Sequence, residues 1–407
     1  MTNEFINRYI SIEKEGTYGT EPSGTQTFGE IDDESISMNF EMLGRSDISR
    51  QQSSKMVTGT EYSEGGINMA VQVDDFLGML LHGLLPDDTA TGSASTSKHG
   101  LEQAFFGLNK RADATTLANK GSWLQATAYA VGDYVIYPVD GCLYRFTAAN
   151  AAGTAWVPAS AYKIIYPSFT VRVGREAKEH TYTGMMVNSM SLTANVGEYV
   201  MASFDFVGKS ESATSSLQTS SVLYDGVALD ALHFANGTVK FDTGDGTIGA
   251  ATAKVKGVNL SISMNRDTDN SYGLGSSTYR HAPASQQMEI SGSIDFNEVV
   301  YTASQEEPTY DLLTAEDGLK YEQLAFDGAS VMRLEFLDME TVGSPSSMTI
   351  NLYHLRFEAP TANISGRDTN TMSVNFTALM NPLLGKAIDI ALVGKGVAEP
   401  SGDAVAY

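Results

Sequence analysis

Short runs in which apolar and polar residues alternate cover most of this 407-residue chain. Alternation at period two marks half-buried β-strands, whose successive side chains point to opposite faces. Arg8–Ile12, Ile31–Phe40, Gly65–Val73, Phe169–Val173, Gly184–Thr193 and Tyr199–Val207 read this way in the first half. Lys254–Asn265, Met288–Phe296, Val331–Leu337, Met348–Phe357 and Thr371–Leu379 do so in the second. In Tyr199–Val207 the apolar side is Val200, Ala202, Phe204 and Phe206, with Met201, Ser203 and Asp205 on the other. Helical spacing appears over Asp75–Leu85, where Phe76, Leu77, Leu80, Leu81, Leu84 and Leu85 form one wide apolar face. Asp74 is placed to accept from the free amides of the first turn, and Pro86 ends the run. Pro308–Leu319 reads as a second short helix with its proline in the first turn.

One phrase orders these elements. Ser-Ile-Ser-Met-Asn stands at Ser35–Asn39 and again, 226 residues on, at Ser261–Asn265. A polar stretch without apolar period follows each copy, Glu41–Thr60 and Arg266–Gln287, and then a glycine-containing strand. Unstructured connections of this length are functional or disordered. The closing strands Met201–Phe204 and Met372–Phe376 are displaced by only about 171 residues, so the first half holds about 55 that the second lacks. The aromatic-rich stretch 109–163, with Trp123, Tyr129, Tyr134, Tyr137, Tyr144, Phe146, Trp156 and Tyr162, fills that place.

The pattern therefore predicts a mainly β chain of two tandem antiparallel units, sandwiches or open barrels, each with one short helix, plus a small inserted β module. The expected boundaries are 1–108 with 164–210 for the first unit and 109–163 for the module. A Ser/Thr-rich linker at 211–222, a second unit at 223–400 and a tail at 401–407 complete the division.

Charge and chemistry narrow the function. Forty-nine acidic against 26 basic residues leave a formal charge of −23, which opposes tight nucleic-acid binding because phosphate contacts need Lys and Arg. Cys142 is the only cysteine, which excludes an internal disulfide and a thiolate metal cluster. No apolar run has the length of a membrane span, and the polar start is unlike a signal peptide, so folding in a reducing cytoplasm is expected. Asp242-Thr243-Gly244 matches one half of an aspartic-protease dyad, but a dyad needs two such turns. Asp242–Thr247 lacks the closing glutamate of a calcium loop. The six histidines, His82 among them, show no ligand or triad spacing. The expectation is a protein that is not an enzyme and holds no metal or cofactor.

On Ile31–Phe40, the arginine-bearing stretch after it, Gly65–Leu85, Gly184–Lys209 and Thr349–Met380, the chain resembles the major tail tube proteins of long-tailed bacteriophages, of the sheathless, siphovirus type. The resemblance implies a structural virion protein, assembled in the host cytoplasm into stacked rings that form the conduit for the genome. It implies the tape measure, tail terminator and distal tail proteins as partners, and DNA that passes an acidic lumen without tight binding. Two units per chain would make a ring of three chains a pseudo-hexamer; a hexamer is the alternative. In the family the long loop after the first strand reaches the neighbouring ring, which makes Arg45, Arg50, Lys55, Arg266 and Arg280 candidates for ion pairs between rings. The insert resembles small chitin-binding-type modules through Trp123, Tyr129, Gly132, Asp133, Val135, Tyr137, Tyr144 and Trp156. Trp123, Tyr144 and Trp156 are then candidate sugar-stacking residues. The rival reading is a carbohydrate-binding surface protein or adhesin acting through that module.

Overall fold

The computed structural model describes residues 8–45, 55–91, 98–102, 119–131, 133–139, 143–146, 148–156, 161–163, 165–212, 216–217, 230–241, 248, 254–279, 281–297, 332–338, 345–358, 371–381 and 386–394. The chain begins with β1 (Tyr9–Lys14), β2 (Thr27–Gly29), β3 (Asp33–Glu34), β4 (Ser37–Arg45) and β5 (Lys55–Ala70). Helix α1 (Asp75–His82) follows, then β6 (Asp87–Thr91) and β7 (Lys98–Glu102). The aromatic stretch holds β8 (Asn119–Ser122), β9 (Tyr134–Ile136), β10 (Leu143–Phe146) and β11 (Ala161–Lys163). Next come β12 (Phe169–Arg175), β13 (Lys178–Asn195), β14 (Met201–Gly208) and β15 (Ser210–Glu211). The second half contains β16 (Gly237–Phe241), β17 (Val255–Ser263), β18 (Arg266–Asp267), β19 (Ala284–Ser285) and β20 (Glu289–Phe296). It ends with β21 (Met332–Leu337), β22 (Ser347–Leu352), β23 (Leu355–Phe357), β24 (Met372–Ala378) and β25 (Ile388–Val393). The protein is mainly β, in several antiparallel sheets with no closed barrel.

Helix α1 begins as its sequence dictates. The Leu77 amide donates to Asp74 Oδ1 at 2.7 Å, and Phe76, Leu77, Leu80 and Leu81 are buried. The helix stops at His82, short of the expected Leu85, and Leu84 and Leu85 carry its apolar face into the following turn, fully buried. The second expected helix, Pro308–Leu319, lies outside the described residues, as does Asp242–Thr247. No helix among the described residues is long and apolar enough to cross a membrane.

The largest sheet contains the order β4-β5-β14-β13-β17-β20-β24-β23. The two runs of four share an order: the strand at the repeated phrase, the long strand after its polar stretch, then a later antiparallel pair with its second strand innermost (β14 before β13, β24 before β23). They meet where β13 pairs antiparallel with β17, Leu192 opposite Leu260 and Ser189 opposite Ser263. One row of directly opposed residues is Glu34–Ile67–Phe204–Met190–Ile262–Ile290–Ala378–Leu355. Every member except Glu34 is buried in the core. The adjacent row, Asp33–Asn68–Ser203–Ser191–Ser261–Ser291–Thr377–Arg356, is polar throughout. One face is thus core and the other hydroxyl, amide and carboxylate, the result expected of period-two strands with one solvated side.

A second sheet, β16-β21-β22-β25-β7-β6, covers the apolar face. Phe241 of β16 lies 6.2 Å from Phe296 of β20, and one hydrophobic cluster runs from Ile10 through both sheets to Leu392. In this second sheet β25, from the end of the chain, pairs with β7, Ile390 opposite Leu101. Strands distant in sequence therefore close one core.

The stretch Glu41–Thr60, expected to lack structure, is largely a β-hairpin. Strand β4 runs out to Arg45 and β5 starts at Lys55, with Leu43 opposite Val57 and Arg45 opposite Lys55. Alternation shows in a sequence only when one face is buried, and here both faces of the hairpin are exposed. The linker also starts as structure: Ser210 and Glu211 pair with Thr183 and Tyr182.

Candidate assembly surfaces

Four surfaces stand out: two sheet edges, a projecting arm, and an aromatic module seated on the second sheet. The edges are β4 with β3 at one end of the eight-strand run and β23 at the other; among the described residues no strand lies beyond either, and the branch β13-β12-β1-β2 ends in a further edge at β2. An open edge presents unmade backbone hydrogen bonds and is a template for another strand.

The arm is the outer part of the β4–β5 hairpin. Phe40, Met42, Leu43, Met56 and Val57 are 48–61% exposed on it. Apolar side chains concentrated on a slender projection are unlike the scattered exposed leucines of an ordinary surface. Its base is braced from the second half, where the Glu61 amide donates to Ser277 O at 2.7 Å. Beside that contact Tyr272 packs on the buried Tyr279, ring centroids 4.7 Å apart.

The candidate cations fall into different places. Arg45 and Lys55 oppose each other at the described end of the arm. Arg50 and Arg280 lie outside the described residues. Arg266 is not on a loop surface at all. It is buried, with Nε donating to Val187 O at 2.8 Å, Nη1 to Pro283 O at 3.3 Å and Nη2 to Gly83 O at 3.4 Å. Its guanidinium also lies 5.3 Å from the centre of the Tyr166 ring. Burial lowers its pKa to about 10, so it remains a cation at neutral pH. A guanidinium at the carbonyl end of α1 complements the helix dipole. Arg266 thus fastens the second loop to α1 and β13 within the chain, and no sequence pattern distinguishes such an arginine from a solvated one.

Strands β8 to β11 form their own four-stranded sheet around Tyr129, Val135, Phe146 and Ala161. Trp123, Tyr144 and Trp156 pack onto this cluster half-buried. Trp156 stacks on Tyr137 at 4.3 Å and meets Tyr144, Trp123 and Phe146 edge-on at 5.0, 5.7 and 5.7 Å. A sheet this small needs such rings for a core. Its anchor is Asp87 of β6, fully buried, which accepts from the Tyr134 hydroxyl and from Arg145 Nη1 at 2.9 Å; Arg145 also reaches Thr89 Oγ1 at 2.7 Å. Sequence reasoning found the aromatics and missed this ionic anchor, which links residues 58 positions apart.

Among the described residues no group of three or more His, Cys, Asp or Glu is arranged to hold a metal. The buried histidines serve structure: His99 Nδ1 lies 2.9 Å from Asp88 Oδ2, and His82 Nε2 lies 3.3 Å from Lys14 Nζ. Burial first, then the Lys14 and His99 charges, lowers the His82 pKa to about 3, so its ring is neutral.

An antiparallel sheet with open edges, one solvated face and an apolar arm is the frame of a β-protein with surfaces for other chains. The sequence profile of the family described as phage tail tube protein matches residues 6–378, and the chain belongs to that family. No curated protein matches the chain. Membership gives it a structural, non-enzymatic role in the tail tube of the phage particle, where it assembles with other tail proteins.

Proposed function

We propose that the chain is a duplicated tube protein, that three copies close into a ring, and that rings stack into the wall of a sheathless, siphovirus-type tail tube. The observation that carries this is the β13–β17 junction. The end of the first four-strand set joins there to the start of the second. The end of the second set, β23, and the start of the first, β4, are the two ends of this eight-strand run, with no strand beyond either among the described residues. The same junction, made between copies, propagates one sheet around a ring, as heterologous contacts do when their rotation closes. Six sets in three chains make a pseudo-hexamer; six chains per ring is the alternative.

In such a ring the core face turns outward under the second sheet, and the polar face lines the lumen. That face offers Ser191, Ser261, Ser291 and Thr377 with Asp205, Glu289 and Asp295, against Arg356 near one edge. Hydroxyls and carboxylates give phosphate no counterion-release gain, so DNA passes without being held. The tape measure protein occupies the same lumen before ejection, and the terminator and distal tail proteins meet the tube ends. The module on β6 decorates the exterior, and its tryptophans act as core rather than as a sugar platform. Rings stack through the apolar arm, with Arg45 and Lys55 meeting carboxylates of the next ring.

Electron microscopy of the purified protein tests this. Uniform hollow tubes whose mass per ring equals three chains are expected; persistent monomers, or a net-basic lumen in a reconstruction, would overturn it.

A further inference from the structure

The internal junction also fixes the register of the contact between copies, an inference that rests on the ring reading above. The repeated phrase makes Ser261 the counterpart of Ser35 and Ser263 the counterpart of Ser37. From Ser261 the row of opposed residues in the second set runs through Ser291 and Thr377 to Arg356. From Ser35, whose amide donates to Gly66 O at 2.9 Å, the first set runs through Gly66 and Asp205 to Ser189. Arg356 is therefore the counterpart of Ser189, and Phe357 of Met190. Within the chain Ser189 opposes Ser263 and Met190 opposes Ile262.

The open edge carries a second observation. The Met264 amide donates to Asn188 O, and the Val196 amide to Lys256 O. These bonds share the parity of the Met190–Ile262 pair, so Ile262 turns its backbone groups to β13, since hydrogen-bonded pairs alternate along an antiparallel ladder. At Ile36, the counterpart of Ile262, the same two groups are taken by side chains. The Ile36 amide donates to Glu34 Oε2 at 3.0 Å, and Arg175 Nη2 donates to Ile36 O. Arg175 is held there by Glu34, Nε to Oε1 at 2.9 Å and Nη2 to Oε2 at 2.8 Å. Glu34 is the one polar member of the core row, and in the second copy of the phrase strand its place is taken by the buried Leu260. A paired edge needs no such charge; an open edge that must stay unpaired until assembly does.

We propose that the β3–β4 edge receives β23 of a second copy antiparallel, with Arg356 opposite Ser37 and Phe357 opposite Ile36, and that this displaces Glu34 and Arg175 from the Ile36 backbone. Phe357 and Ile36 are both buried, so the contact extends the apolar face across the copies. Arg356 and Ser37 form a non-hydrogen-bonded pair, like Ser189 and Ser263, whose Cα atoms stand about 4.5 Å apart, within disulfide reach.

The test uses the full chain with Cys142→Ser, carrying Ser37→Cys with Arg356→Cys, oxidised under assembly conditions and run on a non-reducing gel. A covalent ladder that stops at the trimer is expected, with Ser35→Cys and Glu358→Cys as a second in-register pair should the first fail to fold. Asn39→Cys with Arg356→Cys, two residues out of register, is expected to link at least about fivefold more slowly, its Cα separation being about 7 Å or more. Tubes that form without cross-linking of either in-register pair, or that link best through Asn39→Cys, would overturn the register and leave the ring reading standing. Absence of rings and tubes for the unsubstituted chain would overturn both. Glu34→Ala is expected to lower the protein concentration at which assembly begins several-fold; an unchanged threshold would overturn the displacement.

Discussion

The two stretches that follow the repeated phrase start alike and end differently. After Ser35–Asn39 the strand continues, past a register shift between Phe40 and Met42, into an arm whose five large apolar residues are exposed. After Ser261–Asn265 the chain turns at Asn265, which has a φ of 46°, and Arg266 dives beneath β13. The neighbours explain the difference. β17 is flanked by β13, and Asn188 Oδ1 of that strand accepts from the Arg266 amide at 3.1 Å, drawing the second loop inward. β4 has no such neighbour among the described residues, and its stretch pairs only with β5. Like sequence at the root of two loops does not imply like work at their tips. The inward loop braces the chain, and the outward one keeps its apolar residues in solvent.

That contrast breaks first at Arg266. Arg266→Ala removes a buried cation from three carbonyls and from the Tyr166 face, and is expected to cost about 3–5 kcal/mol in denaturant unfolding. A loss below about 0.5 kcal/mol would put Arg266 in the same class as an exposed arm residue. The arm should behave the opposite way. Leu43→Asp with Met56→Asp is expected to leave monomer stability within about 0.5 kcal/mol while raising the concentration needed for tubes about tenfold or more, an effect of about 1.4 kcal/mol. Light scattering against concentration reads the second quantity, and an unchanged threshold would remove the arm from the stacking contact.

The seat of the inward loop should also be acid-sensitive. His82 precedes Gly83, whose carbonyl accepts from Arg266, and burial holds its folded pKa near 3 against 6.5 for the free side chain. The unfolded chain therefore takes up a proton as pH falls below 6.5 that the folded chain refuses, and stability falls through that window down to about 3. Between pH 7 and 5.5 this one group is expected to contribute about 1 kcal/mol, visible as a shallower pH slope of unfolding in His82→Gln. Equal slopes in the two proteins would show that His82 charges in the folded state.

Sequence reached the local half of this picture. Val200, Ala202, Phe204 and Phe206 are buried on one side of β14 as their alternation requires, and Asp74 caps α1 as its position requires. Non-local pairings were beyond it. Nothing in Lys98–Glu102 announces that it pairs with Ile388–Val393, and nothing in the phrase says which copy lies beside β13. The arm has the sequence of a loop because two exposed faces leave no period. The burial of Arg266 is not legible in its neighbours, because it depends on carbonyls supplied by Gly83, Val187 and Pro283, each from a different segment.

The smallest expected effect concerns the charges on the arm. Arg45 and Lys55 oppose each other at the described end of the arm. Carboxylates of a neighbouring ring are the natural counter-charges there in a chain with a formal charge of −23. Exposed ion pairs contribute only about 0.2–1 kcal/mol each and are screened by salt. Arg45→Ala with Lys55→Ala is therefore expected to raise the assembly threshold about two- to fivefold at low ionic strength, leave the monomer as stable as before, and match the unsubstituted chain near 0.5 M salt. If both proteins respond to salt alike, the arm's contribution to stacking is apolar alone, and the two loops differ in burial but not in the use of their arginines between rings.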